Sequence, residues 1–73
     1  MQARVVDSLN LNQVRYDMNK QISSLLENPW LDPETCKEFM KKQRFMQRRP
    51  FFLMRLCDEI RHEIVIRKEM YGT

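Results

Sequence analysis

The sequence predicts an all-α fold, a compact three-helix bundle with a short extended N-terminal segment, and three observations carry that prediction. Glycine occurs once, at Gly72, so tight primed hairpin turns and the strands they would join have little support. Apolar residues recur at three- and four-residue steps in three separate stretches. Proline punctuates both joints between those stretches, in Asn28-Pro29, Asp32-Pro33 and Arg49-Pro50. Seventy-three residues allow one small domain, and 42% hydrophobic content is too high for a disordered tail. A core in so short a chain supplies only about 3–5 kcal/mol. A deep catalytic cleft is then hard to build, and function is expected on a surface.

Residues 1–9 hold the adjacent pair Val5-Val6, then Asp7, Ser8 and an isolated Leu9, a pattern that favours extended backbone over helix. Such a segment could fray, lie across the core, or join a partner by strand addition or an apolar grip. The first helix is predicted over about 11–27. Asn10 is placed as its N-cap and Gln13 for a return bond to that cap. Val14, Met18, Ile22, Leu25 and Leu26 form its apolar stripe, and Asn28-Pro29 ends it.

Trp30, between two helices, reads as a core plug or as an interface anchor. Asp32-Pro33-Glu34 then supplies a cap, a proline at N1 and an acid at the positive helix end, opening a second helix over about 33–47. Cys36, Phe39 and Met40 face its core side, continued by Gln43 and Met46. Phe45 leaves that stripe. If the helix continues that far, its ring stands among Lys41, Lys42 and Arg48; if the helix breaks near Gln43, the ring turns inward.

Pro50 suits the first turn of a third helix, expected over about 51–70. Leu53, Leu56, Cys57, Ile60 and Ile64 form a tight stripe. Phe52, Ile66 and Met70 widen it on one flank, Met54 and Val65 on the other, and Phe51 lies furthest away. A helix apolar over so much of its circumference is either the centre of the bundle or part of an intermolecular surface. The expected core joins Val14, Met18, Ile22, Leu25, Trp30, Phe39, Met40, Leu53, Leu56, Ile60 and Ile64.

Several chemistries find no support. With a lone glycine there is no phosphate-cradling loop or dinucleotide turn. Ser8, Ser23 and Ser24 lack an elbow or triad context, and there is one His. Glu59-Ile60-Arg61-His62 spells E-x-x-H, but a carboxylate-bridged metal centre needs a second such pair and two more glutamates, so a metal site would require a bridged dimer. Cys36 and Cys57 read as small buried hydrophobes or as a single disulfide, and so few cysteines suggest a reducing compartment. Residues 1–7 lack the apolar stretch of a signal peptide, and the apolar runs fall far short of the roughly 20 residues a membrane helix needs. A soluble intracellular monomer without metal or cofactor is expected.

Charge is distributed unevenly. Between Lys37 and Arg49 six cations face the single carboxylate Glu38, a local balance of +5 within a net charge of +3. Lys41, Lys42, Arg44, Arg48 and Arg49, with Phe45 among them, are the leading candidate partner-binding residues, and Val5 and Val6 are the second candidate. The bland reading of the basic run is a solvated helix face with lysine stems over apolar surface.

Read as a whole, from Met1-Gln2-Ala3-Arg4-Val5-Val6 through the basic helical middle to Met70-Tyr71-Gly72-Thr73, the chain resembles the small RNA polymerase-binding transcription regulators of lytic Xanthomonas phages. The resemblance implies a non-enzymatic inhibitor and antiterminator in the cytoplasm of the host bacterium. It implies contact with the N-terminal part of the polymerase β′ subunit, which hinders promoter recognition and lets elongating polymerase pass terminators. It rests on the whole chain and assigns no residue roles. The alternative reading of the same basic residues is a small DNA- or RNA-binding protein.

Overall fold

Three helices, α1 (Gln2–Leu25), α2 (Pro33–Phe45) and α3 (Pro50–Tyr71), run up, down and up in the computed structural model, which describes the backbone of residues 2–71 and the side chains of residues 10–71. The contacts set the directions. Met18 meets Cys57 and Gln21 meets Arg61, so α1 and α3 are parallel. Lys42 meets Glu59 and Asp32 meets Arg67, so α2 runs against α3. The all-α three-helix bundle expected from the sequence is the observed architecture.

The N-terminal expectation is corrected, because residues 2–9 are helical rather than extended. The reluctance of paired valines costs at most about 0.7 kcal/mol per residue, and Ala3, Arg4 and Leu9 are good helix formers. Lengthening an existing helix also needs no new nucleus. Asn10 therefore lies inside α1 and does not cap it, and Gln13 Nε2 donates along the helix to Asp17 Oδ1 at 3.0 Å. The side chains of Val5 and Val6, expected as an interface, lie outside the described residues. At its other end α1 stops at Leu25, two residues early, as Glu27 N–H donates to Ser24 O and Asn28 N–H to Leu25 O ahead of Pro29.

Helix α2 starts as its sequence demands. Asp32 caps it in extended conformation, its carboxylate accepting from the Thr35 amide and hydroxyl, and Pro33 occupies the first turn. At its C-terminus the Met46 amide is shared between the Lys42 and Gln43 carbonyls, and the chain tightens into a 3-10 turn over Met46–Arg48. Arg49 leaves helical backbone, as a residue before proline must, and α3 begins at Pro50.

Ile22, Leu31, Phe39, Leu53, Leu56, Cys57 and Ile60 form the buried core, with Met18, Leu25, Leu26, Cys36, Met46 and Ile64 packed around it. Four of those seven come from α3, which makes it the central helix. Two expected core residues are displaced. Trp30 is only half-buried, and its neighbour Leu31 is buried in its place. An Asx turn, with Asn28 Oδ1 accepting from the Trp30 amide, shapes this joint; Leu31 can be enclosed without the partner that an indole N–H requires. Met40 is 50% exposed because α2 turns its narrow Cys36–Phe39–Gln43–Met46 side inward. Val14 is half-buried at the rim.

Both cysteines are free thiols. Cys36 donates to the Leu26 carbonyl, and burial pushes the Cys57 thiol above its ordinary pKa. Among the described residues no helix is long and apolar enough to cross a membrane. The molecule extends 54 × 21 × 15 Å, since the first turns of α1 run past the start of α3. That overhang, which carries Val5 and Val6 in its backbone, lies at the same end as the α2–α3 connection.

Candidate functional site

The connection between α2 and α3 carries the basic run, and an amide network holds it in place. Arg15 Nε donates to the Gln47 carbonyl at 2.7 Å. Asn19 and Gln47 exchange reciprocal side-chain hydrogen bonds of 2.8 and 2.7 Å, and Gln43 Nε2 donates to the same Asn19 oxygen at 3.0 Å. Gln47 also donates to the Gln43 carbonyl. These groups are half-buried, so each bond has more value than at a free surface. The turn is thereby fixed to α1, and the residues on its outer side are presented in a defined arrangement.

Phe45 resolves to the outward position. Helix α2 continues through it, and the ring is 86% exposed. Arg48 and Arg49 are exposed on the turn beyond it. Among the described residues the ion pairs employ Lys42, Arg61 and Arg67 as cations, which leaves Lys41, Arg44, Arg48 and Arg49 with no carboxylate within 4.0 Å. Lys42 differs: its Nζ lies 2.8 Å from Glu59 Oε1, tying α2 to α3.

The basic run is therefore not one patch. Lys37, Lys41 and Arg44 share one flank of α2 with the exposed thioether of Met40 and line a shallow recess of about 240 Å³. Lys42 lies on the flank that faces α3, and Phe45, four residues from Lys41 and three from Lys42, stands between the two flanks. That second flank continues onto α3 with residues the sequence reading did not select. The Arg49 guanidinium lies 5.8 Å from the Phe52 ring centroid, and that of Arg55 lies 5.5 Å from the same ring. The available signal was the i, i+3 spacing of Phe52 and Arg55, hidden because Arg55 falls outside the dense run.

Beside this region Asn10, Leu11, Val14 and the exposed Phe51 line a groove of about 430 Å³ between α1 and α3. Other chemistry-bearing residues are scattered. Glu59 of the E-x-x-H pair is engaged by Lys42, His62 is exposed, and no three His, Cys, Asp or Glu side chains gather for a metal among the described residues. Ser23 and Ser24 are exposed on α1 and His62 is exposed on α3. What the arrangement offers is contact: oriented cations beside aromatic surface. No protein-family model, curated protein or solved structure matches the chain.

Proposed function

We propose that the protein is a non-enzymatic transcription regulator that binds host bacterial RNA polymerase at the N-terminal part of its β′ subunit, through the end of the bundle centred on Phe45. The observation that carries this reading is Phe45 itself, 86% exposed near Lys41, Arg44, Arg48 and Arg49, which join no ion pair among the described residues. Burying such a ring against a partner is worth about 1.5–3 kcal/mol, and Arg with aromatic residues dominates the energetics of protein interfaces. Docking acts by position. A small body seated on β′ disfavours the promoter-engaged holoenzyme and favours elongating polymerase over release at terminators, with no bond made or broken.

The test is retention of purified, nuclease-treated polymerase on the tagged protein at near-physiological salt. Retention of polymerase and of an isolated β′ N-terminal fragment is expected, with loss of promoter-dependent transcripts and increased read-through on a terminator template. Absence of retention refutes the proposal. A second reading is favoured by the Lys37, Lys41 and Arg44 row, which joins no ion pair among the described residues and could follow a phosphate backbone. Binding to duplex DNA would then weaken with salt at a log–log slope of about −0.9 per phosphate contact.

A further inference from the structure

Arg55 lies outside the basic run, and among the described residues no carboxylate lies within 4.0 Å of its charge. Two acids stand within reach along its own helix, Asp58 three residues on and Glu59 four residues on. Asp58 is taken by Arg61 at 3.4 Å, and Glu59 by Lys42 at 2.8 Å. Arg55 stacks on Phe52, and Arg49 lies over the same ring. Neither arginine joins an ion pair among the described residues. Two like charges are thus held near one another, no further apart than their two distances to the ring laid end to end. A guanidinium stacked in this way is already oriented and weakly hydrated, so it takes a carboxylate at small entropic cost.

Phe45 borders the same strip. The Lys42–Glu59 pair marks the register of the antiparallel helices. One turn nearer the connection, Arg55 precedes Glu59 by four residues and so lies on the α2–α3 flank, and Phe45 follows Lys42 by three and stands at the outer edge of that flank. An exposed apolar ring therefore borders two guanidiniums that join no ion pair among the described residues, with Arg49 at the turn between.

We infer that Arg49, Phe52, Arg55 and Phe45 form a receptor for an acidic protein segment. The segment presents two carboxylates to the arginines, spaced as on successive turns of a helix or on alternate residues of a strand, and one bulky apolar side chain to Phe45. This rests on the reading of this end as the polymerase-binding surface and adds what the partner must offer there. Charge complementarity selects an acidic occupant, and the stack selects protein over nucleic acid. With two guanidiniums over Phe52, little of its ring face is open for a base to stack upon. The row suited to tracking phosphates, Lys37, Lys41 and Arg44, lies on the other flank.

The test uses the full chain and three labelled probes in fluorescence anisotropy. These are a 12-residue peptide with Glu at i and i+4 and Leu between, its twin with Gln for each Glu, and a 12-nucleotide oligouridylate. The acidic peptide is expected to bind about tenfold or more tighter than its amide twin, and the double variant Arg49→Gln/Arg55→Gln to lose about tenfold of that affinity. The control Lys37→Gln/Lys41→Gln removes the same charge from the other flank and is expected to stay within about twofold. All four side chains are exposed, and circular dichroism verifies that both variants stay folded. Equal binding of the two peptides overturns the inference, as do equal losses in the two variants or a dependence on Arg49 and Arg55 confined to the oligouridylate. The same variants are assayed on polymerase. Polymerase that binds the wild type and the Arg49/Arg55 variant alike removes the receptor and leaves the proposed function standing. Selective peptide binding without any retention of polymerase does the reverse.

Discussion

Where α1 passes into α2, Arg67 reaches across from α3 to the Asp32 carboxylate and the Thr35 hydroxyl while also donating to Glu63 on its own helix. Where α2 passes into α3, Arg48, Arg49 and Arg55 have no carboxylate partner among the described residues, and Phe45 stands in solvent beside them. Both joints are built from a proline, a helix end and cations. At the first, charge closes the fold: the Thr35 hydroxyl and the Arg67 guanidinium both donate to the Asp32 carboxylate, and these two hydrogen bonds hold it down at about 2. At the second the fixing is left mainly to the amides Asn19, Gln43 and Gln47, joined by Arg15 on the Gln47 carbonyl, and Arg48, Arg49 and Arg55 are turned outward. A joint held by its own ion pairs has little left for a partner, whereas a joint held by amides keeps its cations available.

The comparison breaks most sharply in the core. Ile60→Ala is expected to cost about 2–5 kcal/mol, comparable with the whole stability of a domain this small, so a thermal melt followed by circular dichroism should show a largely unfolded protein at room temperature. A melt close to wild type would mean that Ile60 is not enclosed by both helices. Phe45→Ala is the counterpart at the exposed end. Its stability change is expected within about 0.5 kcal/mol, while polymerase affinity falls about 30-fold, equivalent to about 2 kcal/mol. A destabilised Phe45→Ala protein would place that ring in the packing instead.

The paired end is sharpened by pH. Asp32 has its carboxyl lowered from an ordinary 3.8 to about 2, so its contribution is fully present above about pH 4 and is lost as pH falls toward 2. The wild type is therefore expected to lose stability across that window. Asp32→Asn should begin less stable at neutral pH and show a shallower acid loss; identical acid profiles would remove Asp32 from the linkage. The smallest effect belongs to Lys42→Gln, which breaks a half-exposed ion pair worth about 0.2–1 kcal/mol. It also frees Glu59 to meet Arg55 one turn away, so polymerase binding should weaken severalfold although Lys42 itself offers no free charge. Unchanged binding would argue against Arg55 as a contact.

Much of this surface was legible from residue order, and the remainder depended on pairings between helices. The excess of cations from Lys37 to Arg49 is visible at once, but that Lys42 is withdrawn by Glu59, seventeen residues away, is not. The orientation of Phe45 hinged on whether α2 ended at Gln43 or continued, a difference of one hydrogen-bonded turn. Residues 2–9 misled because two valines outweighed the helix formers around them in a local reading, whereas growth from an established α1 needs only one further bond per residue. Trp30 and Leu31 differ in size, yet the smaller side chain is the one enclosed at that joint.

Local chemistry alone was enough to decide that the chain is helical, where α2 and α3 begin, and which face of α3 is buried. Caps, prolines and apolar spacing act within a turn or two of backbone, and their energies do not wait on distant partners. Which cations are free, which ring faces solvent and which two flanks divide the basic run were decided by the packing of α2 against α3. A charge is available only if no opposite charge is brought within about 4 Å, and that distance is set by the fold.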